Sequence, residues 1–342
     1  IEMSGNHYSY ALRSCVWEIT LACCFSCNYC GSKAGKARKN ELSTEECLDV
    51  AKQLADINCR RVSMIGGEVF MRPDWREIAK ALTDRKVKVS IITNGYLFSE
   101  KLITDLKECR IESIAVSLDG PEAIHDRYRQ KGSFKRALQA IDTLTGNDIP
   151  VSVISTLHSE NVPFLDEMYE ILKTRKIFAW QLQACSPMGN ATDAGFSTNI
   201  DFRTVIKFVE KHLYNPYFAI GVADNIGYYT ESEGWLRGNP SGQAVFRGCK
   251  AGLTNIGIDS VGNVRGCESM YDESFIEGNL REKSISEIWN APGAFAYNRH
   301  FTLENLTGKC QNCEHGGKCA GGCRSYNYFT HGKLYEALFC AK

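Results

Sequence analysis

No stretch of 18 or more apolar residues occurs in the 342-residue chain, so a membrane-spanning helix is not expected. The first ten residues, "IEMSGNHYSY", lack the apolar core of a secretory signal, and the cytoplasm is the expected compartment. Excess charge is missing too: 40 basic side chains balance 40 acidic ones. A chain without net charge has no global field to draw in nucleic acid or an anionic membrane, so neither is an expected partner. With 44% apolar and 23% charged residues, the composition is that of an ordinary globular protein. The length suits one large domain, or a domain plus a smaller one.

Cysteine is what the chain has in excess, at sixteen residues. Disulfides explain such a count in small secreted domains, but in a chain this size without a signal metal ligation is favoured. Thiolates select zinc, copper(I) or iron–sulfur clusters. Four cysteines crowd into "CCFSCNYC" at 23–30, and seven lie after residue 248. The other five, Cys15, Cys47, Cys59, Cys109 and Cys185, stand alone and read as small buried hydrophobes.

Apolar runs at 14–20, 60–67, 88–95, 113–120, 150–156 and 178–185 predict strands. Amphipathic stretches at 43–58, 73–85, 99–109, 133–147 and 164–175 predict the helices between them. The first helix opens on Ser43 with Glu46 three residues later, a capping-box pattern. Strict alternation predicts an α/β fold with a parallel sheet and right-handed crossovers. Six units fall short of a closed eight-stranded barrel, so the expectation is a partial (β/α)6 TIM-like barrel over residues 1–190. A bridging region is expected over 191–248. The loop-rich remainder, 249–342, lacks apolar mass for its own core, and metal ligation would supply much of its folding free energy.

Active residues of such barrels sit at the C-terminal ends of strands. The cysteine-rich loop follows the first strand, Gly66-Gly67-Glu68 the second and Thr93-Asn94-Gly95 the third, while Ser117, Asp119 and Gly120 end the fourth. Polar residues and glycines therefore converge on one rim. On the loop, Cys23-x3-Cys27-x2-Cys30 and Cys24-x2-Cys27-x2-Cys30 are both three-thiolate sets. Three ligands leave one iron of a [4Fe–4S] cluster open, whereas structural zinc wants four. Spacing alone does not separate the two registers.

CxxxCxxC after a first strand, with Tyr29 before the last cysteine, resembles the radical S-adenosylmethionine (SAM) superfamily. The resemblance implies ligation by Cys23, Cys27 and Cys30, leaving Cys24 out. It implies SAM bound at the open iron and cleaved to a 5′-deoxyadenosyl radical that abstracts hydrogen from substrate. Gly66-Gly67-Glu68 matches the family's GGE motif, which meets the SAM amino group. Ser117-Leu118-Asp119-Gly120 and His125-Asp126-x-x-Arg129 look like a region of one branch. There Ser117 and Asp119 would lie near the SAM ribose or carboxylate, and Arg129 would pair with the carboxylate. Asn94 and Thr156, at strand ends, are further candidates.

The C-terminal pattern, Cys249-x12-Gly262-x4-Cys267 then Cys310-x2-Cys313-x5-Cys319-x3-Cys323 and Cys340, resembles the SPASM extension. Zinc is the alternative reading of its CxxC pair. The resemblance implies two auxiliary [4Fe–4S] clusters, making three in all. Cys249, Cys267 and Cys323 would hold the first, and Cys310, Cys313, Cys319 and Cys340 the second. The first then has three cysteines for four irons, which leaves an open iron, a non-cysteine ligand or a remote cysteine such as Cys185.

The SPASM branch implies a ribosomally made precursor peptide or protein as substrate. It further implies cross-linking through a thioether, carbon–carbon or ether bond, or oxidation of a residue. A reductant such as flavodoxin or ferredoxin is expected. About fourteen residues precede the first strand, too few for a leader-recognition domain, so leader recognition is expected to fall to a separate protein or to another surface. The rival within the family is a sulfatase-maturase-like enzyme forming formylglycine, with Glu268, directly after Cys267, as base; a solvated surface glutamate is the plainer reading of Glu268. The rival outside it is a non-catalytic iron–sulfur scaffold or electron carrier, which would have no use for a SAM cradle.

Overall fold

The computed structural model describes residues 10–193, 200–237 and 245–342, so the first nine residues and parts of the bridging region lie outside the described chain. Strand β1 (Ser14–Glu18) starts a parallel array that continues through β2 (Arg61–Ile65), β3 (Lys88–Thr93) and β4 (Ser113–Ser117). The array then runs through β5 (Val151–Leu157), β6 (Ala179–Ala184) and β7 (Ala219–Val222). The six expected strands are all present, and β7 adds a seventh.

Helices α1 (Thr44–Asp56), α2 (Trp75–Asp84) and α3 (Glu100–Glu108) make the first crossovers. Then come α4 (Glu122–Tyr128), α5 (Ser133–Gly146) and α6 (Leu165–Leu172). The capping box of α1 is formed: Ser43 Oγ accepts from the Glu46 amide, and the Glu46 carboxylate accepts from the Ser43 amide. Each strand shows why it lies here. In β5, Val151, Val153, Ser155 and Leu157 are buried on one face, while Ser152, Ile154 and Thr156 on the other are only half-buried. Alternation of this kind puts one face against the helices and the other toward the barrel interior. The five solitary cysteines are all buried, as expected of small hydrophobes.

The sheet does not stop at the barrel. Strand β8 (Asn255–Ile258) pairs in parallel with the free side of β1, Ser14 opposite Asn255 and Trp17 opposite Ile258. β9 (Asn263–Arg265) and β10 (Gly278–Asn279) then extend it antiparallel. Gly262, at φ +89°, makes the turn between β8 and β9. The sheet therefore crosses the boundary expected at residue 249. Beyond it, Ile285, Ile288, Trp289, Phe295 and Tyr326 join the main core, and two small clusters form besides among the described residues, one around Tyr228, Phe246 and Leu306 and one around Ala251, Met270 and Phe275. No helix among the described residues is long and apolar enough to cross a membrane.

Candidate active site

A cavity of about 520 Å³ opens at the C-terminal ends of the barrel strands. Cys23, Cys27 and Cys30 line one side of it, and Cys267 and Cys323 line another. No cysteine of the chain is in a disulfide. The loop that carries the first three is fixed by its backbone. The Cys23 amide donates to Gly35 O at 2.9 Å, and the Asn28 amide to Tyr128 O at 3.0 Å. Asn190 donates through Nδ2 to Cys27 O at 2.9 Å and through its amide to Cys30 O at 3.0 Å. Two sulfurs accept backbone N–H groups, Cys23 Sγ from Phe25 at 3.4 Å and Cys30 Sγ from Ala34 at 3.3 Å. N–H donors of this kind suit cluster thiolates. Cys24 is not part of the cavity wall, and its Sγ takes the Asn94 Nδ2 donor at 3.4 Å.

Gly66 and Gly67 pass directly beneath this loop. A Cβ on Gly67 would lie 2.4 Å from Ala22 O and 2.6 Å from Leu21 O, so only glycine fits. Glu68 turns away from the cavity. Its buried carboxylate accepts from Thr93 Oγ1 and from the Asn94 amide at 2.8 Å, and burial pushes its pKa up to about 7. The glutamate thus braces the end of β3, while the glycine backbone faces the cavity. Asn94, Ser117, Thr156 and Arg129 reach the cavity wall, as expected.

Asp119 sits one layer behind. One carboxylate oxygen accepts from Arg129 Nε and the Tyr29 hydroxyl; the other accepts from the Thr156 amide at 2.8 Å. Burial raises its pKa, but Arg129 outweighs that and holds it below the usual range. Arg129, stacked over Tyr29 at 5.6 Å, is held firmly cationic by the same partner. This buried pair orients one guanidinium at the cavity wall, the arrangement for receiving a carboxylate.

Behind Asp119, its own amide donates to His125 Nδ1 at 3.1 Å, which leaves the imidazole neutral. Burial pushes the His125 pKa down to about 4. The folded value lies below the ordinary 6.5, so the unfolded chain takes up the proton first as pH falls. The contribution of His125 to stability is full above pH 6.5 and is lost as pH falls toward 4. His125→Asn keeps an acceptor and removes the titration. The fall in melting temperature of reconstituted protein between pH 7 and pH 5 should shrink by roughly 2–5 °C in that variant. Equal falls in both proteins would show that His125 carries none of the acid sensitivity.

The C-terminal thiols form two groups. Cys249 lies close enough to Cys267 and Cys323, and Cys267 close enough to Cys323, to help raise the pKa values of Cys267 and Cys323, although burial is the larger cause. Cys310, Cys313, Cys319 and Cys340 line a separate outer pocket with Tyr228, Tyr229 and His315. Cys185 lines the main cavity near Tyr326, which is itself close to Cys323. All of these are thiols, the donors that iron–sulfur clusters take, although among the described residues no three Cys, His or carboxylate side chains stand ready to hold a single metal ion.

Glu268 is not a solvated surface residue. It is 8% exposed, faces the main cavity, and neither carboxyl oxygen has a hydrogen-bond partner among the described residues. Burial, then the nearby Glu18, raise its pKa well above the carboxylate range. Glu18, also in the wall, was invisible as a site residue: in "SCVWEIT" it reads as one polar position of a strand. Its carboxylate is buried and bound by Arg38, which also holds Ser260 and Tyr271 of the C-terminal segment. Gln183, Asp224 and Asn225 complete the far wall and carried no motif.

A model of the radical SAM superfamily matches residues 17–172, and one of an iron–sulfur cluster-binding domain, SPASM, matches residues 249–314. The chain is 30% identical to the mycofactocin maturase MftC of Mycobacterium tuberculosis, over 92% of this chain and 78% of that protein. It is 28% identical to the AdoMet-dependent heme synthase of Methanosarcina barkeri, over 96% of each. Its fold overlays on SuiB of Streptococcus suis bound to S-adenosylmethionine with a TM-score of 0.76, at 16% identity, over 95% of this chain and 76% of that one.

Proposed function

The chain belongs to the radical SAM superfamily and carries its SPASM extension, and from that premise we propose that it is a peptide maturase. The observation that carries the reading is one cavity walled by both the Cys23–Cys30 loop and by Cys267 and Cys323. In this reading Cys23, Cys27 and Cys30 hold the SAM-binding [4Fe–4S] cluster, with Gly66 and Gly67 under the amino group of SAM and Arg129 toward its carboxylate. The inner and outer C-terminal thiol sets hold two more clusters, with Cys185 a near neighbour of the inner one. When bound, cluster and SAM supply a hydrogen-abstracting radical, with a low-potential flavodoxin or ferredoxin as reductant. The chain's own part is to seat the substrate residue, exclude water and remove a proton. Glu268, buried and unpartnered at the cavity wall, is the group placed to exchange that proton, and it acts as a base only once it is ionised against its raised pKa.

The heme synthase relative favours a second reading. Haem carries carboxylate side chains, and a site for it must meet them with cations. Among the described residues Arg129 is the one cationic side chain in the wall, it is paired with Asp119, and in this reading it already serves the SAM carboxylate, so no cation is left for a haem carboxylate. That balance favours a peptide residue over a polycarboxylate.

The test is anaerobic incubation of reduced, reconstituted protein with SAM. One arm contains a precursor peptide encoded beside its gene, the other a haem precursor. Formation of 5′-deoxyadenosine with a mass change in the peptide is expected. In Glu268→Gln, 5′-deoxyadenosine should persist while product falls. Conversion of the haem precursor alone would reverse the substrate assignment, and absence of 5′-deoxyadenosine in both arms would favour a scaffold.

A further inference from the structure

One short loop touches both thiol regions of the C-terminal half. Its first residues, Ala223, Asp224 and Asn225, line the main cavity, and Tyr228 and Tyr229 line the outer pocket of Cys310, Cys313, Cys319 and Cys340. Between them the backbone kinks sharply. Gly227, Tyr228 and Tyr229 have φ of +93°, +95° and +56°, and positive φ is unfavourable for a bulky side chain. Such a conformation persists only where its surroundings over-determine it.

The surroundings do so here. The buried Tyr228 hydroxyl donates to Asp224 O at 2.6 Å and accepts from the Cys323 amide at 3.1 Å. One oxygen thus ties a cavity-wall residue to a cysteine of the inner set. On the other side, Cys340 Sγ approaches Tyr228 O at 3.9 Å, and the Ala341 amide donates to Gly227 O at 3.4 Å. Arg237, paired with Glu233, donates to Ala223 O and Ile226 O. Asn225 clamps the end of β6 through both Ala184 N and Ala184 O.

We propose that Tyr228 is a positioning residue through which the outer cysteine pocket holds the wall of the substrate cavity. This rests on the reading that the outer four thiols carry a cluster. With that pocket filled, Cys340 and Ala341 press on the kinked loop. The Tyr228 hydroxyl passes the constraint to Asp224 and to Cys323.

The test is hydrogen–deuterium exchange on the full reconstituted protein, with iron and the electron paramagnetic resonance signals of the clusters measured on the same samples. Tyr228→Phe should keep its iron, exchange about tenfold faster at 224–226 and shift the signal of the inner cluster, with β5 unchanged. Cys340→Ser should lose iron and show the same faster exchange at 224–226. Because a serine oxygen can itself ligate iron, Cys340→Ala accompanies it, and unchanged iron in Cys340→Ala overturns the proposal, since the outer pocket then holds no cluster through Cys340. Wild-type exchange at 224–226 in Tyr228→Phe, or in Cys340→Ser that has lost its iron, overturns the proposal.

Discussion

Cys27→Ala is expected to reduce 5′-deoxyadenosine formation to background while about two thirds of the iron stays bound. Cys27 belongs to both possible three-thiolate registers, so its loss removes a ligand from either. Cys24 is the one further thiol on the loop, but without Cys27 it completes neither register, and the Cys27 carbonyl is held from outside by Asn190 Nδ2 and within the loop by the Cys30 amide at 3.2 Å. The other seven proposed ligands lie on separate loops and should keep their clusters. Cys24→Ser completes the experiment. Its sulfur points to Asn94 instead of the cavity, so activity close to wild type is expected. Retained SAM cleavage in Cys27→Ala, or its loss in Cys24→Ser with retention in Cys23→Ser, would show the assignment to be wrong.

Gly67→Ala is the second large effect. The added methyl would meet two backbone carbonyl oxygens, of Ala22 and Leu21, well inside contact distance. Backbone cannot rotate out of the way, so the loop carrying Cys23 must move. Overpacking of this kind costs about 1–3 kcal/mol or more. Here the displacement falls on cluster ligands, so iron content and SAM affinity should both drop. Gly35→Ala is the matched control. Gly35 pairs with the same loop through Ala22 and Cys23, yet a Cβ there meets nothing within 4 Å. If Gly67→Ala loads iron and binds SAM as well as Gly35→Ala does, the glycine cradle has no functional weight.

The barrel was legible because its strands are buried apolar runs separated by amphipathic helices. What failed to show in the chain were short elements whose partners are distant. β7 is four residues, "AIGV", with a glycine inside it. β8, "NIGI", lies in a glycine-rich stretch and gains its identity only by pairing with β1. At the site, the cysteines and GGE were readable because each forms a short motif of fixed spacing. Glu18, Gln183 and Asp224 follow no spacing, since each reaches the cavity from a different strand end. The exposure of Glu268 was misjudged for a related reason: its backbone lies against Gly257 of β8, with Glu18 and Cys15 of β1 near its charge, which no local pattern records. Glu68 marked the motif correctly, but its side chain is spent on holding Thr93 and Asn94.

The pairing of β8 with β1 also sets a clock. Ser14 and Asn255, joined side chain to side chain, are 241 positions apart. At ordinary elongation rates the ribosome needs on the order of ten to fifty seconds to make the intervening chain. For that interval one edge of β1 has no neighbour, and the cysteine loop that follows it hangs from an unfinished sheet. An open strand edge invites the wrong partner. The nascent protein must therefore protect that edge until β8, at Asn255–Ile258, has emerged.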